Sequence, residues 1–113
     1  MLYICNAISL GMLPIGVGTA TIRVREVADP AAYLTAEWRL GPVVSAVGHY
    51  DTAALFSALL GHPVEPARVT LQFSGDDAYL VGQLAGPRLP EGATTLPAGA
   101  SIRWMLVVFE AGI

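Results

Sequence analysis

Lysine is absent from the sequence, and cysteine occurs once, at Cys5. One thiol closes no internal disulfide and supplies no multi-cysteine metal site, which excludes a disulfide scaffold and a zinc knuckle alike. Cys5 lies in an apolar run and reads as a small buried hydrophobe. Charge is scarce as well: 13% of the residues are charged, and the net charge is −3. Such a chain has no basic field for a long nucleic acid, so no DNA partner is expected. Residues 1–22 carry no charged side chain, which raises the question of a signal peptide or membrane span. A basic n-region is missing, however, and Asn6, Ser9, Gly11, Pro14, Gly16 and Gly18 break the run. No membrane segment is therefore expected, and the reading is of a soluble, cytoplasmic protein. A Walker loop, a nucleophile elbow and a metal-ligand spacing are also absent, and His49 and His62 share no ligand pattern. Gly16-Val17-Gly18 lacks the third glycine of a dinucleotide fingerprint and leads into an alternating segment, so it reads as a turn. Neither a metal nor a cofactor is expected.

What is present is largely apolar. Hydrophobic residues make up 54% of 113, enough for one core in one domain spanning 1–113. With so little charge to cover the surface, some apolar area is expected to meet a partner, most simply a second copy in a homodimer. All six basic residues are Arg. Coding bias in a GC-rich genome accounts for this; so does the use of a few guanidinium forks as bidentate phosphate clamps. The two accounts are compatible.

Periodicity predicts a mixed α/β fold with a central β-sheet flanked by helices. Residues 2–5 read as a buried first strand, emptying into a loop that carries Asn6 and Ser9, at the kind of strand end where α/β sheets hold ligands. Residues 19–27 alternate, with Thr21, Arg23 and Arg25 on one face and Ile22 and Val24 on the other. Asp29-Pro30 reads as an N-cap and first helical position, opening a helix to about Arg39, before Gly41-Pro42. A brief apolar stretch, 43–47, leads to Gly48-His49-Tyr50-Asp51-Thr52. Ala54, Leu55, Ala58 and Leu59 then give one helix face, with Asp51 as its expected N-cap and Gly61 at its C-terminal left-handed position. Residues 68–73 and 78–84, separated by Ser74-Gly75-Asp76-Asp77, read as a β-hairpin. Residues 86–96 form a Pro- and Gly-punctuated loop, and 101–109 a final strand.

His49 is the informative histidine, since it follows a glycine and stands just before a helix N-terminus. Free N–H groups and the helix dipole favour bound phosphate there, and imidazole, which ordinarily titrates near neutrality, suits proton delivery to a phosphodiester's leaving oxygen. His62, beside Pro63 after a helix end, reads as a surface residue. Arg88 and Glu91 share one loop, and composition alone makes them a solvated pair.

The run Ser45-Ala46-Val47-Gly48-His49 with Thr52, then Arg68-Val69, Gln83, and Arg88-Leu89-Pro90-Glu91-Gly92, resembles in order and spacing the viral ring nuclease family of type III anti-CRISPR proteins. Members of that family also occur in cells alongside CRISPR effectors. The opening Leu2-Tyr3-Ile4-Cys5-Asn6-Ala7-Ile8-Ser9 and Met12-Leu13 are similar to its first strand and loop, so the likeness spans nearly the whole chain. The resemblance implies a homodimer that binds cyclic tetra-adenylate across its two-fold axis and cuts it, without metal, into linear diadenylates. It implies a catalytic role for His49 with Arg88 and Glu91 assisting, and ligand-binding side chains at Asn6, Ser9, Thr52, Arg68 and Gln83. Two features depart from the family. Where its members often have Asp-Ser-Thr after the histidine, this chain has Tyr50-Asp51-Thr52, putting a carboxylate where a hydroxyl could hold phosphate. Where they usually insert a charged helix near the C-terminus, residues 94–100 are a short Pro/Gly loop.

The implied chemistry is self-consistent. RNA-type linkages carry their own nucleophile, the ribose 2′-hydroxyl, so an enzyme need only align it, neutralise the phosphorane and protonate the departing 5′-oxygen. A non-catalytic sponge that sequesters the messenger in the same groove is the alternative reading.

Overall fold

Leu2, Ile4 and Cys5 are almost wholly buried, which marks a strand covered on both faces and therefore central. In the structure, a computed structural model that describes residues 1–14, 16, 18–37 and 41–111, this strand, β1 (Leu2–Cys5), pairs in parallel on both sides. Its neighbours are β3 (Val43–Ser45) and β4 (Ala78–Ala85). β5 (Ser101–Ala111) runs antiparallel to β4 and to the outermost β2 (Ala20–Glu26). The result is a five-stranded mixed sheet in the order β2-β5-β4-β1-β3, in keeping with the expected α/β class.

Local chemistry sets the helix ends. The Asp29 carboxylate accepts the Ala32 N–H at 3.1 Å, capping α1 (Pro30–Glu37) as expected; the expected end near Arg39 lies outside the described residues. α2 (Tyr50–Leu60) closes at Gly61, whose φ of 63° needs a residue without Cβ strain. The N-cap of α2 is His49, not Asp51: His49 is extended, and its carbonyl accepts the Ala53 N–H at 3.0 Å. Starting the helix there lets Ala53, Phe56 and Leu60 pack into the core with Leu2, Ile4 and Leu80. This also rotates the expected Ala54/Leu55/Ala58/Leu59 face. Leu55 is buried but Ala58 is exposed, because the bulkier Phe56 takes the seat on the sheet.

The expected hairpin of 68–73 with 78–84 does not form. Both edges of β4 are taken, by β1 and β5, and no strand is found over 68–73. That segment instead lies under the sheet. The Ala67 N–H donates to the Val47 carbonyl at 2.8 Å, the Phe73 N–H to the Met12 carbonyl at 2.7 Å, and Leu71 and Phe73 pack with Cys5, Met12, Tyr79, Val81, Val107 and Phe109. Both helices consequently share one face of the sheet, with Leu34 and Phe56 in one core, while loops cover the other.

Close approach of α2 to the sheet depends on Gly82. A Cβ there would lie 2.7 Å from Phe56 Cζ and 2.7 Å from Trp104 Cζ3, so the two rings, 4.8 Å apart, occupy the space a side chain would need.

Burial pushes the Cys5 thiol up from its ordinary 9.0 to about 12. The thiolate is therefore withheld in the folded protein, and native protein at pH below 9.0 is expected to resist iodoacetamide while unfolded protein is alkylated. The neutral thiol is the form the fold favours. Its contribution is intact below the unfolded value of 9.0 and lost as pH rises towards about 12, so denaturation midpoints should fall across that window. Rapid alkylation of the native chain would contradict this burial.

Candidate active site

The head of α2 is held from below. Ala46 donates its N–H to the Ile4 carbonyl at 2.8 Å, the Val47 N–H reaches Ser45 Oγ at 3.2 Å, and that hydroxyl donates to the Glu65 carbonyl at 2.5 Å. Arg68 Nε donates to the Gly48 carbonyl at 3.3 Å. A Cβ on Gly48 would lie 3.3 Å from Arg68 Cγ, so the glycine lets the arginine stem lie against the chain just before His49. The His49 imidazole makes no capping hydrogen bond, and the first-turn amides of α2 have no partners within the helix.

A cleft of about 390 Å³ opens at this helix end, its polar wall made by Asn6, His49, Asp51, Thr52 and Arg88 and its apolar wall including Leu84 and Leu89. This volume falls in the range of small-ligand sites. Asn6 comes from the end of β1, and Arg88 from the loop after β4. That loop begins at Gly86, with φ 102°, where a Cβ would lie 2.4 Å from the Gly99 carbonyl oxygen. Only glycine permits the crossing that brings Arg88 round to the helix end. Thr52 is buried, and it lines the cleft. Asp51 faces the cleft and takes part in no ion pair among the described residues. Positive potential comes from Arg88, the helix N-terminus and Arg68 behind Gly48.

Of the residues singled out from sequence, Asn6, His49, Thr52 and Arg88 thus share the cleft, and Arg68 abuts it. The others lie elsewhere. Ser9 lines a second groove of about 350 Å³ with Cys5, Met12 and Thr70. Gln83 points to the loop-covered face and lines a hollow of about 100 Å³ with Ile8, Val81 and Met105. Glu91 is exposed on the turn after Pro90 and does not line the cleft. Asp51, read from sequence as a cap, is the cleft residue that local pattern misassigned, because a first-turn carboxylate looks the same whether it caps or faces a ligand. Among the described residues no three His, Cys, Asp or Glu side chains gather in a set able to hold a metal ion, and no helix is long and apolar enough to cross a membrane.

The sequence model of the STIV B116-like family matches residues 2–98. The solved structure of B116 of Sulfolobus turreted icosahedral virus is similar in fold, with a TM-score of 0.73 and 24% identity, covering 95% of this chain and 97% of that one. No curated protein matches the sequence.

Proposed function

This chain belongs to the STIV B116-like family, a viral protein family, and from that premise we propose that it is a metal-independent ring nuclease that cuts cyclic tetra-adenylate into two linear diadenylates. The observation that carries this reading is the cleft in which His49, Thr52, Asn6 and Arg88 converge on a helix N-terminus. Destroying the messenger would switch off type III CRISPR signalling, as an anti-CRISPR or a host off-switch.

Each part of the cleft has a task in such a reaction. The α2 amides and Arg88 receive the phosphate and the charge that builds on it in the phosphorane. Asn6 and Thr52 hold the neighbouring ribose and phosphate oxygens. His49 gives its proton to the 5′-oxygen as the bond to phosphorus breaks. Arg68 and Glu91 stand further out, Arg68 as a second positive charge and Glu91 as a group that orients the Arg88 loop. Ser9, in the second groove, is left as a more distant ligand contact, while Gln83, on the opposite face of the sheet, takes no part in this cleft.

The cleft of one protomer suits one linkage and its flanking nucleosides rather than a whole ring. A two-fold dimer would offer a two-fold symmetric ring two copies of His49, and two cuts give two identical halves. Exposed Leu10 and Val69, near the second groove, supply apolar surface for such a partner. Net charge is no obstacle, since Arg88 and Arg68 gather locally.

Incubation with cyclic tetra-adenylate in EDTA tests the proposal. Linear diadenylate ending in a 2′,3′-cyclic phosphate is the expected product. Intact ring after prolonged incubation overturns the enzyme reading, and retained tight binding in that case would point to a sponge.

A further inference from the structure

We propose that Asp51 is the general base of the reaction, taking the proton of the attacking ribose 2′-hydroxyl while His49 supplies the proton at the other end of the scissile bond; this rests on the ring-nuclease reading above. Among the described residues Asp51 is the only carboxylate that lines the cleft, and it does so beside His49 and Arg88. Its position in the first turn of α2 leaves the capping place to His49. No ion pair engages it among the described residues, and it is half-buried, so its acceptor oxygens are left for a ligand. A negative charge facing an anionic ligand weakens binding, and a role in the chemical step gives that charge a reason to be there. The charged and titratable groups around it on the cleft are His49 and Arg88, with Arg68 behind Gly48.

The step balances without water or any co-reactant. The 2′-hydroxyl proton passes to Asp51, the 2′-oxygen bonds to phosphorus, the P–O5′ bond breaks, and the departing oxygen takes the proton of His49. A 2′,3′-cyclic phosphate and a 5′-hydroxyl result. Asp51 is left protonated and His49 neutral, and exchange with solvent restores both.

The test compares Asp51→Asn with wild type on cyclic tetra-adenylate, on its all-2′-deoxy analogue, and on a ring with sulfur at the bridging 5′-positions. Asp76→Asn, an exposed carboxylate on the turn before β4 and so at the end of that strand opposite the cleft, controls for net charge. Turnover by Asp51→Asn is expected to fall on the order of 10²-fold, with binding of the uncleavable deoxy ring unchanged or tighter, which also reports an intact fold. A thiolate leaves without an acid, so the sulfur ring should restore His49→Ala but not Asp51→Asn. Asp51→Glu should keep part of the activity. Wild-type turnover by Asp51→Asn, or its recovery on the sulfur ring, overturns the assignment while leaving the ring-nuclease reading intact. Failure of wild type to cut any ring overturns both.

Discussion

Replacing His49 with alanine is expected to lower turnover of cyclic tetra-adenylate by about 10²–10⁴-fold, the usual range for loss of a general acid, while affinity for the ring changes little. The division follows from what His49 contributes. Its backbone caps α2, with the carbonyl taking the Ala53 N–H, and alanine can do that equally well because the imidazole has no capping hydrogen bond to lose. Helix and cleft should therefore survive, and only the proton donor disappears. Turnover measured in single-turnover mode beside calorimetric binding separates the two effects. A variant that still cuts at the wild-type rate would remove His49 from the chemistry, and one that neither binds nor cuts would show that the imidazole serves binding instead.

Gly82→Val is expected to be the most damaging change away from the cleft. The new Cβ would meet Phe56 at 2.7 Å and Trp104 at 2.7 and 2.9 Å, contacts that force either a ring or a backbone to move. Phe56 is 0% exposed and Trp104 8%, so neither ring has open space to swing into. Over-packing at such a site costs about 3 kcal/mol, which for a domain of this size lowers Tm by roughly 10–20 °C. Thermal melts by circular dichroism check it, and a melt within a degree or two of wild type would show that the core yields more readily than its packing implies. Phe56→Leu should recover part of the loss in Gly82→Ala, because it withdraws one of the two clashing rings. Since Phe56 seats α2, the same lesion is expected to disturb the placement of His49.

These two sites differ in how readily the sequence discloses them. A histidine after a glycine at the foot of an apolar helix is visible in the chain itself, as are the Asp29-Pro30 start of α1, the Gly61 stop of α2 and the long apolar β5, because each follows from neighbours within a few residues. Gly82 is silent: its importance depends on Phe56 and Trp104, which the chain brings together only after folding. The misread hairpin has the same origin. Residues 68–73 have strand-like composition, but β1, far upstream, takes the edge of β4 they would have used. Within the cleft, Asn6, Thr52 and Arg88 converge from three separate stretches, yet nothing local distinguishes Thr52, which faces it, from Gln83, which the pleat turns to the opposite side. The orientation of Asp51 depended on one detail of the helix start, the two-residue difference between capping and the first turn.

The pairing order of the sheet also governs the birth of the molecule. β2 has only β5 beside it, and although β1 can pair early with β3, its other edge waits for β4. Until residues 101–111 emerge, the nascent chain therefore holds β2 without a partner and one edge of β4 open. Folding dominated by such distant pairings proceeds in milliseconds to seconds rather than microseconds. That interval exposes strand edges to neighbouring nascent chains, so yield in a host cell should respond to translation speed, growth temperature and chaperone supply more than the stability of the finished fold would suggest.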